Sequence, residues 1–329
     1  MKAMVYHQYG SPDNLELTEI DPPIPRDNEV LVKVYAASIN SWDWDLLRGT
    51  PFVNRLMFGV FRPHKILGCD IAGKVEEVGK GISQFKPGDE VFGDLSSSGW
   101  GGFAEYVCAR ENALVMKPAC LSFEQAAAVP QAALLAQQGL RYKGGLQPEK
   151  TNRTQRVLIN GAGGGVGSFA VPMAKLSGFE VTGVDSADKF DFMRALGADH
   201  VIDFITEDFT KNGWHYDLIL DVQGHHSIFD YRRALSPGGI YVMVGGTSKL
   251  VWQLTFLGPW ISMTEHKKMG LLLHKANKGL DFMIELFEAG KVMPVIDRCY
   301  PLSEAADALR YFGGGGVKGK TVITVSDDL

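Results

Sequence analysis

The stretch Arg156–Asp185, RVLINGAGGGVGSFAVPMAKLSGFEVTGVD, encodes in turn a strand, a glycine-rich turn, a helix and a second strand. Val157, Leu158 and Ile159 form a short aliphatic run, and Gly161 to Gly167 supply the turn. Apolar residues then recur at helical spacing from Phe169 to Leu176, and Val181 restarts a strand. Such a turn is a phosphate cradle. Without Cβ atoms the chain turns tightly, backbone N–H groups approach a pyrophosphate, and the helix that follows offers its N-terminus to negative charge. The expected contacts are Gly161, Ala162, Gly163, Gly164, Gly165, Val166 and Gly167. Asp185 ends the second strand, where an acidic side chain accepts hydrogen bonds from an adenosine ribose. Strand, turn, helix, strand and terminal acid together specify a dinucleotide-binding unit, whereas a glycine motif alone specifies much less.

Outward from this unit, the alternation of a doubly wound parallel sheet continues. It predicts a helix over 187–196, strands over 200–204 and 216–222, a helix over 227–235, and strands over 239–245 and 269–273. Before it, residues 1 to about 120 hold short strand-like runs at Lys2–Tyr6, Val30–Ala36, Ala72–Val78, Glu90–Phe92 and Ala104–Cys108. Dense turn punctuation and scarce helix there fit an irregular β-barrel-like domain. Ser122 reads as a helix N-cap, with a break at Pro130. After Asn277 come a helix to about Ala289, a short strand, the helix Ser303–Phe312 and a strand Thr321–Val325. The expected domains are therefore 1–120 with 278–329, and 121–277 for the dinucleotide-binding part.

The composition narrows the function classes. Of 329 residues, 45% are hydrophobic and 22% charged, an ordinary globular balance, and the formal net charge of −5 with no basic stripe argues against nucleic acid. No 18-residue apolar run and no secretory h-region is present, so a cytoplasmic enzyme is expected. Cys69, Cys108, Cys120 and Cys299 lack C-x-x-C spacing and read as free thiols.

Several motifs carry a family likeness over nearly the full length: KVYAASIN at Lys33–Asn40, GCDIAGKV at Gly68–Val75, KPGDEVFG at Lys86–Gly93, GFAEY at Gly102–Tyr106, AAAVP at Ala126–Pro130 and LGAD at Leu196–Asp199. With them the chain resembles the zinc-free medium-chain dehydrogenase/reductases of the quinone oxidoreductase type. The resemblance implies a GroES-like catalytic domain built from both chain ends around a central Rossmann domain. Zinc-dependent relatives carry a Cys where this chain has Asn40, a His-Glu pair where it has Cys69-Asp70, and a four-cysteine lobe near residues 90–115, where it has only Cys108. Neither a catalytic nor a structural zinc set is assembled, and no metal is expected. The adjacent pair His225-His226 is expected to diverge at a strand-to-helix turn.

The implied activity is NAD(P)H-dependent reduction of quinones or α,β-unsaturated carbonyl compounds. A metal-free alcohol or aldehyde reductase and a non-catalytic nucleotide-binding protein are the alternatives. Without zinc, charge on the substrate oxygen needs a hydrogen-bond donor, and the Asn40 amide is the first candidate. Asp43 is expected to hold the loop. Trp42, Trp44 and Phe52, with Phe58, Phe61, Arg48 and Arg55 close in sequence, suggest a flat apolar substrate pocket. Leu135 stands where many relatives have a threonine near the nicotinamide. Cofactor contacts are also expected at Asp221, Val222, Val244, Gly245 and Lys320. On cofactor choice the residues oppose one another. Asp185 repels a ribose phosphate by about 4 kcal/mol per unit charge at 4 Å and an effective dielectric near 20, while Ser186 and Lys189 resemble the NADP-holding turn of relatives. The resemblance favours NADP(H), with NAD(H) the alternative. The apolar stretch Leu250–Met263 reads as a loop serving as lid, subunit contact or membrane foot. An unpaired edge at Met269–Leu273 predicts a homodimer.

Overall fold

The computed structural model describes residues 1–60, 66–142, 145 and 154–326. Two compact units emerge, one of Met1–Ala132, Lys275–Gly290 and Pro294–Leu329, the other of Ala133–His274 and Lys291–Met293.

The first unit begins with β1 (Lys2–Val5) paired antiparallel to β2 (Glu16–Glu19). Its sheet is built from β3 (Glu29–Ser38), β4 (Asp70–Val78), β5 (Glu90–Asp94), β6 (Tyr106–Arg110) and β7 (Val115–Met116), with two strands from the chain end. Between β3 and β4 lie two helices, α1 (Ser41–Arg48) and α2 (Phe52–Phe58). The turn-rich reading of this domain had not included them. The run SWDWDLLR is a helix because Asn40 and Asp43 stand at the N-cap and N3 positions, and the Asp43 carboxylate accepts the Asn40 N–H at 2.8 Å. α3 (Phe123–Ala127) carries the Ser122–Gln125 capping box expected from the sequence, and a new helix, α4 (Pro130–Leu140), starts at the proline. α3 groups with the first unit rather than with the dinucleotide-binding one because Phe123 stacks on Tyr35 of β3 at 4.5 Å.

The second unit is a six-stranded sheet. In chain order its elements are β8 (Arg156–Asn160), α5 (Gly165–Leu176), β9 (Glu180–Asp185), α6 (Phe190–Ala195), β10 (His200–Asp203), β11 (Tyr216–Asp221), α7 (Ile228–Ala234), β12 (Leu235–Met243), α8 (Ser248–Thr264) and β13 (Lys268–Leu271). The spatial order β10-β9-β8-β11-β12-β13, all parallel, reverses at β8, and open α/β sheets bind their ligands in the crevice beside such a switch point. The expectation for Leu250–Met263 is corrected here, since this stretch is α8, with Pro259 inside the helix. Leu250, Leu254, Gly258 and Ile261 form its buried face. Gly258 is no turn residue. Having no Cβ, it lets the helix approach the Met269 carbonyl, which a Cβ there would meet at 3.2 Å. Among the described residues no helix is long and apolar enough to cross a membrane.

The chain then closes with α9 (Leu280–Glu288), β14 (Ile296–Pro301), α10 (Ala305–Gly313) and β15 (Lys320–Thr324). β15 pairs antiparallel with the end of β3, Val322 opposite Ser38, and the Ile39 N–H donates to the Thr321 carbonyl at 3.0 Å. That ladder delivers Lys320 to the residues following β3.

Candidate active site

In the first unit the ends of β3, β4, β5 and β15 converge on a buried polar cluster. Antiparallel pairing sets Ser38 opposite Asp70 and Asp70 opposite Asp94. The Asn40 amide is held at both ends. Its Oδ1 accepts from Lys320 Nζ at 2.5 Å, while its Nδ2 donates to Asp70 Oδ2 at 2.9 Å and to Cys69 Sγ at 3.4 Å. Gln131 Nε2 reaches the same sulfur at 3.6 Å, and the Gln131 N–H donates to the Asp70 carboxylate. Two amide donors thus converge on a thiol, which is a weak acceptor.

The charges here are out of balance. Asp43, Asp70 and Asp94 are fully buried, and the Lys320 ammonium lies 3.9 Å from Asp70 Oδ2 with another hydrogen bond to the Ile39 carbonyl at 3.1 Å. Burial pushes Asp43 up to about 7, although the Asn40 and Gly68 N–H groups, each at 2.8 Å, oppose the shift. Burial likewise raises Asp70 and lowers Lys320, and each one's charge resists the other's shift. The Cys69 thiol is raised well above its usual range, by burial first and by Asp70 next. Among the described residues, Cys69, Asp70 and Asp94 are the group whose ligand-type atoms lie together, within 4.8 Å of one another.

In the second unit the glycine turn leaves β8 and enters α5. Gly161 has φ +87°, a conformation L side chains rarely adopt, and a Cβ on Gly167 would lie 2.3 Å from the Ala162 carbonyl oxygen. The first-turn N–H groups of Gly165, Val166 and Gly167 are those an α-helix leaves without intrahelical acceptors. Asp185 accepts from the Gly163 N–H at 3.0 Å and the Ser186 N–H at 2.9 Å, and its other partner is Lys189 Nζ at 3.1 Å. At the switch point Asn160 donates to Asp221 at 2.8 Å, Tyr241 donates to the same carboxylate at 2.8 Å, and the Val222 and Val244 N–H groups tie neighbouring strand ends together. Gly245 accepts from the Gly224 N–H there. Asp221 is fully buried and braces these strand ends.

Residues 26–119 match the family model described as an alcohol dehydrogenase GroES-like domain, and residues 196–323 match one described as a zinc-binding dehydrogenase. The chain is 34% identical to a chloroplast envelope quinone oxidoreductase homolog of Arabidopsis thaliana, with 98% of each covered. It is 31% identical to a mitochondrial NAD(P)H oxidoreductase of Mus musculus across 99% of this chain and 89% of that one. The quinone oxidoreductase of Coxiella burnetii superposes with a TM-score of 0.85 at 31% identity, covering 99% of both chains. The chain belongs to the quinone oxidoreductase-like medium-chain dehydrogenase/reductases.

This family member is an oxidoreductase with a Rossmann unit and a GroES-like unit, as the motifs implied. Of the residues singled out in the sequence, Asn40 and Asp43 come together with Lys320, which had been assigned to the cofactor. The aromatic pocket is corrected. Trp42 and Trp44 lie two positions apart on α1 and therefore on different sides of it. Trp42 stacks on Trp100 at 6.0 Å, whereas Trp44 packs against the core, with Arg48 5.3 Å over its ring. Phe52 is 61% exposed on α2, while Phe61 and the Phe58 side chain lie outside the described residues. Leu135 is partly exposed on α4. His225 and His226 do not diverge, since their rings lie 4.2 Å apart. Sequence reasoning missed Asp94 and Gln131. For Asp94 the signal was pairing of the strands flanking Lys86-Pro87-Gly88-Asp89, which sets it opposite Asp70. Nothing in the local sequence at Gln131 marks it.

Proposed function

We propose that this oxidoreductase passes a hydride from NAD(P)H to quinones or α,β-unsaturated carbonyl compounds, and that it needs no metal to do so. The observation that carries the reading is the Asn40 amide, oriented by Asp70 and Lys320 with an N–H resting on a sulfur. A substrate carbonyl oxygen is a much better acceptor than a thiol. The bond to it strengthens as negative charge builds on that oxygen, which is what lowers the barrier. Asp43 holds the turn and moves no proton, because both its oxygens are engaged by backbone N–H groups. Gly164, Gly165, Val166 and Gly167 would cradle the pyrophosphate of the dinucleotide, whose reduced nicotinamide supplies the hydride when bound.

Zinc fits the cluster poorly. An amide stands at position 40, the Cys69 thiol is held protonated by burial and its carboxylate neighbours, and an ammonium already sits beside Asp70. On cofactor choice, Lys189 offsets the charge of Asp185, which supports NADP(H) over NAD(H), with Ser186 and Lys189 beside the ribose phosphate. A homodimer through β13 and a cytoplasmic setting complete the reading.

The test is NADPH oxidation by purified protein against quinones, enones and aldehydes, before and after chelator treatment, with elemental analysis. Turnover on quinones or enones by metal-free protein is expected. A stoichiometric metal whose removal abolishes turnover overturns the metal-free reading, and turnover on aldehydes alone overturns the acceptor class.

A further inference from the structure

We propose that Lys320 is a positioning residue for the reaction: it fixes which end of the Asn40 amide faces the buried acids and so presents the N–H that meets the substrate oxygen. The proposal rests on the reading of Asn40 as the carbonyl donor. It departs from the cofactor contact that the resemblance implied for Lys320.

The two ends of a carboxamide are nearly equal in size, so packing alone does not choose between them and the hydrogen-bond partners do. An ammonium donates only, and the Asp70 oxygens, which already face the Gln131 N–H and the Lys320 ammonium, serve here as acceptors. With Lys320 Nζ at 2.5 Å from Oδ1 and Asp70 Oδ2 at 2.9 Å from Nδ2, the reversed amide would set donor against donor and oxygen against oxygen. Either partner biases the amide, and the two together lock it. The second Nδ2 proton is then directed at Cys69 Sγ, 3.4 Å away.

Lys320 is itself held from both sides. Its N–H donates to the Val295 carbonyl at 2.9 Å, β15 pairs with the end of β3, and the ammonium bonds the Ile39 carbonyl. Its side chain is 3% exposed. The Lys320 ammonium has protons committed to Asn40 and Ile39 and lies beside Asp70, so its partners are groups of the site itself. Burial lowers Lys320 first of all, and of the groups facing it, Asp70, Cys69, Asp43 and Asp94, the carboxyl groups oppose that shift where they are ionised. A deprotonated amine can accept as well as donate and no longer discriminates between the two amide ends, so turnover should fall on the alkaline side as Lys320 loses its proton. Arginine keeps its charge there.

The experiment uses the full-length enzyme with NADPH and 1,4-benzoquinone, comparing wild type, Lys320→Met, Lys320→Arg, Asn40→Ala and the Lys320→Met/Asn40→Ala pair. NADPH affinity is read separately by fluorescence titration. Lys320→Met should lower kcat about tenfold or more with NADPH affinity within about twofold of wild type, and it should add nothing to Asn40→Ala. An active Lys320→Arg enzyme should show its alkaline limb moved to higher pH. Should Lys320→Met fail to fold, Lys320→Met/Asp70→Asn removes both charges of the pair and is compared with Asp70→Asn alone, the same kcat loss being expected. Unchanged kcat with weakened NADPH binding would return Lys320 to the cofactor and overturn the proposal. So would losses that add to those of Asn40→Ala. If Asn40→Ala alone turns over normally, the carbonyl-donor reading fails, and the role of Lys320 fails with it.

Discussion

Among the described residues, two lysine–aspartate pairs with little-exposed side chains are built differently. Lys189 and Asp185 are four residues apart, 3.1 Å between charges, on one turn of the Rossmann unit. Lys320 and Asp70 come from opposite ends of the chain, 3.9 Å apart, with Asp43 and Asp94 nearby. The first is a one-to-one pair whose acid also receives two backbone N–H groups. The second is a single cation among three buried carboxylates, with a neutral amide bridging it to one of them. A balanced pair adjusts the charge that a ligand meets at its edge. An unbalanced cluster relieves its surplus charge partly by holding protons and otherwise through fixed donors, so it depends on each of them.

The largest effect should follow from taking such a donor network apart at its acceptor. Asp43→Ala leaves the Asn40 and Gly68 N–H groups buried without a partner, a cost of about 2–4 kcal/mol in urea unfolding. The equivalent loss at Asp185 strands the Gly163 and Ser186 N–H groups on a partly exposed turn and should cost less. Equal destabilisation would erase the distinction between the two regions.

The next test acts on the balanced pair. Lys189→Ala leaves Asp185 uncompensated and should lower the NADPH to NADH ratio of kcat/KM by about tenfold, one charge interaction at an effective dielectric near 20 being more than enough. Asp185→Ala frees Lys189 and should raise the ratio, while weakening both cofactors because Gly163 loses its acceptor. If neither change moves the ratio, the ribose site lies elsewhere.

The unbalanced cluster also makes a prediction in pH. Asp43 and Asp70 titrate higher in the folded protein than in the unfolded chain, with Asp43 pushed up to about 7 by burial. Between about pH 4 and 7 the folded state therefore binds more protons than the unfolded one, and their contribution to stability declines as pH rises through that window. Asp70→Asn removes one such group. Its melting temperature relative to wild type should improve steadily from pH 4 to pH 7, and a difference that worsens over that range would show that Asp70 is stabilised as a carboxylate.

The same contrast between local and distant partners explains what the sequence disclosed. The glycine turn, Asp185, Ser186 and Lys189 lie within one strand-turn-helix-strand unit, so spacing alone brings them together. The Ser122 cap and the break at Pro130 are equally local. Lys320 and Asn40 meet only through the pairing of β15 with β3, and Asp94 meets Asp70 only through β4 and β5. No window of sequence contains those contacts. The helix Ser41–Arg48 is a different kind of miss, because Asn40 and Asp43 have capping spacing and a helical reading would have separated Trp42 from Trp44. At Gly258-Pro259 turn propensity pointed the wrong way, since close packing of α8 on β13 uses the glycine and the helix continues past the proline.

The smallest effect on the fold is expected at the sheet edge, where local and distant satisfaction compete directly. Alternation along β13 points the N–H groups of Met269 and Leu271 away from β12, while the Leu272 N–H donates inward to the Met243 carbonyl at 2.8 Å. Within the same chain, Ser262 of α8 accepts the Met269 N–H at 3.2 Å, so the helix already covers part of the edge. Leu271 is then the position at which a second copy would pair, and proline there removes a donor without touching the bond to Met243. Leu271→Pro should shift light scattering from a dimer toward a single 36.0 kDa species with turnover per chain nearly unchanged. Proline at Leu272 should instead unfold the edge, because it breaks the inward bond. A wild-type protein that already scatters as 36.0 kDa when dilute would show that the cover from α8 suffices and that the edge needs no second copy.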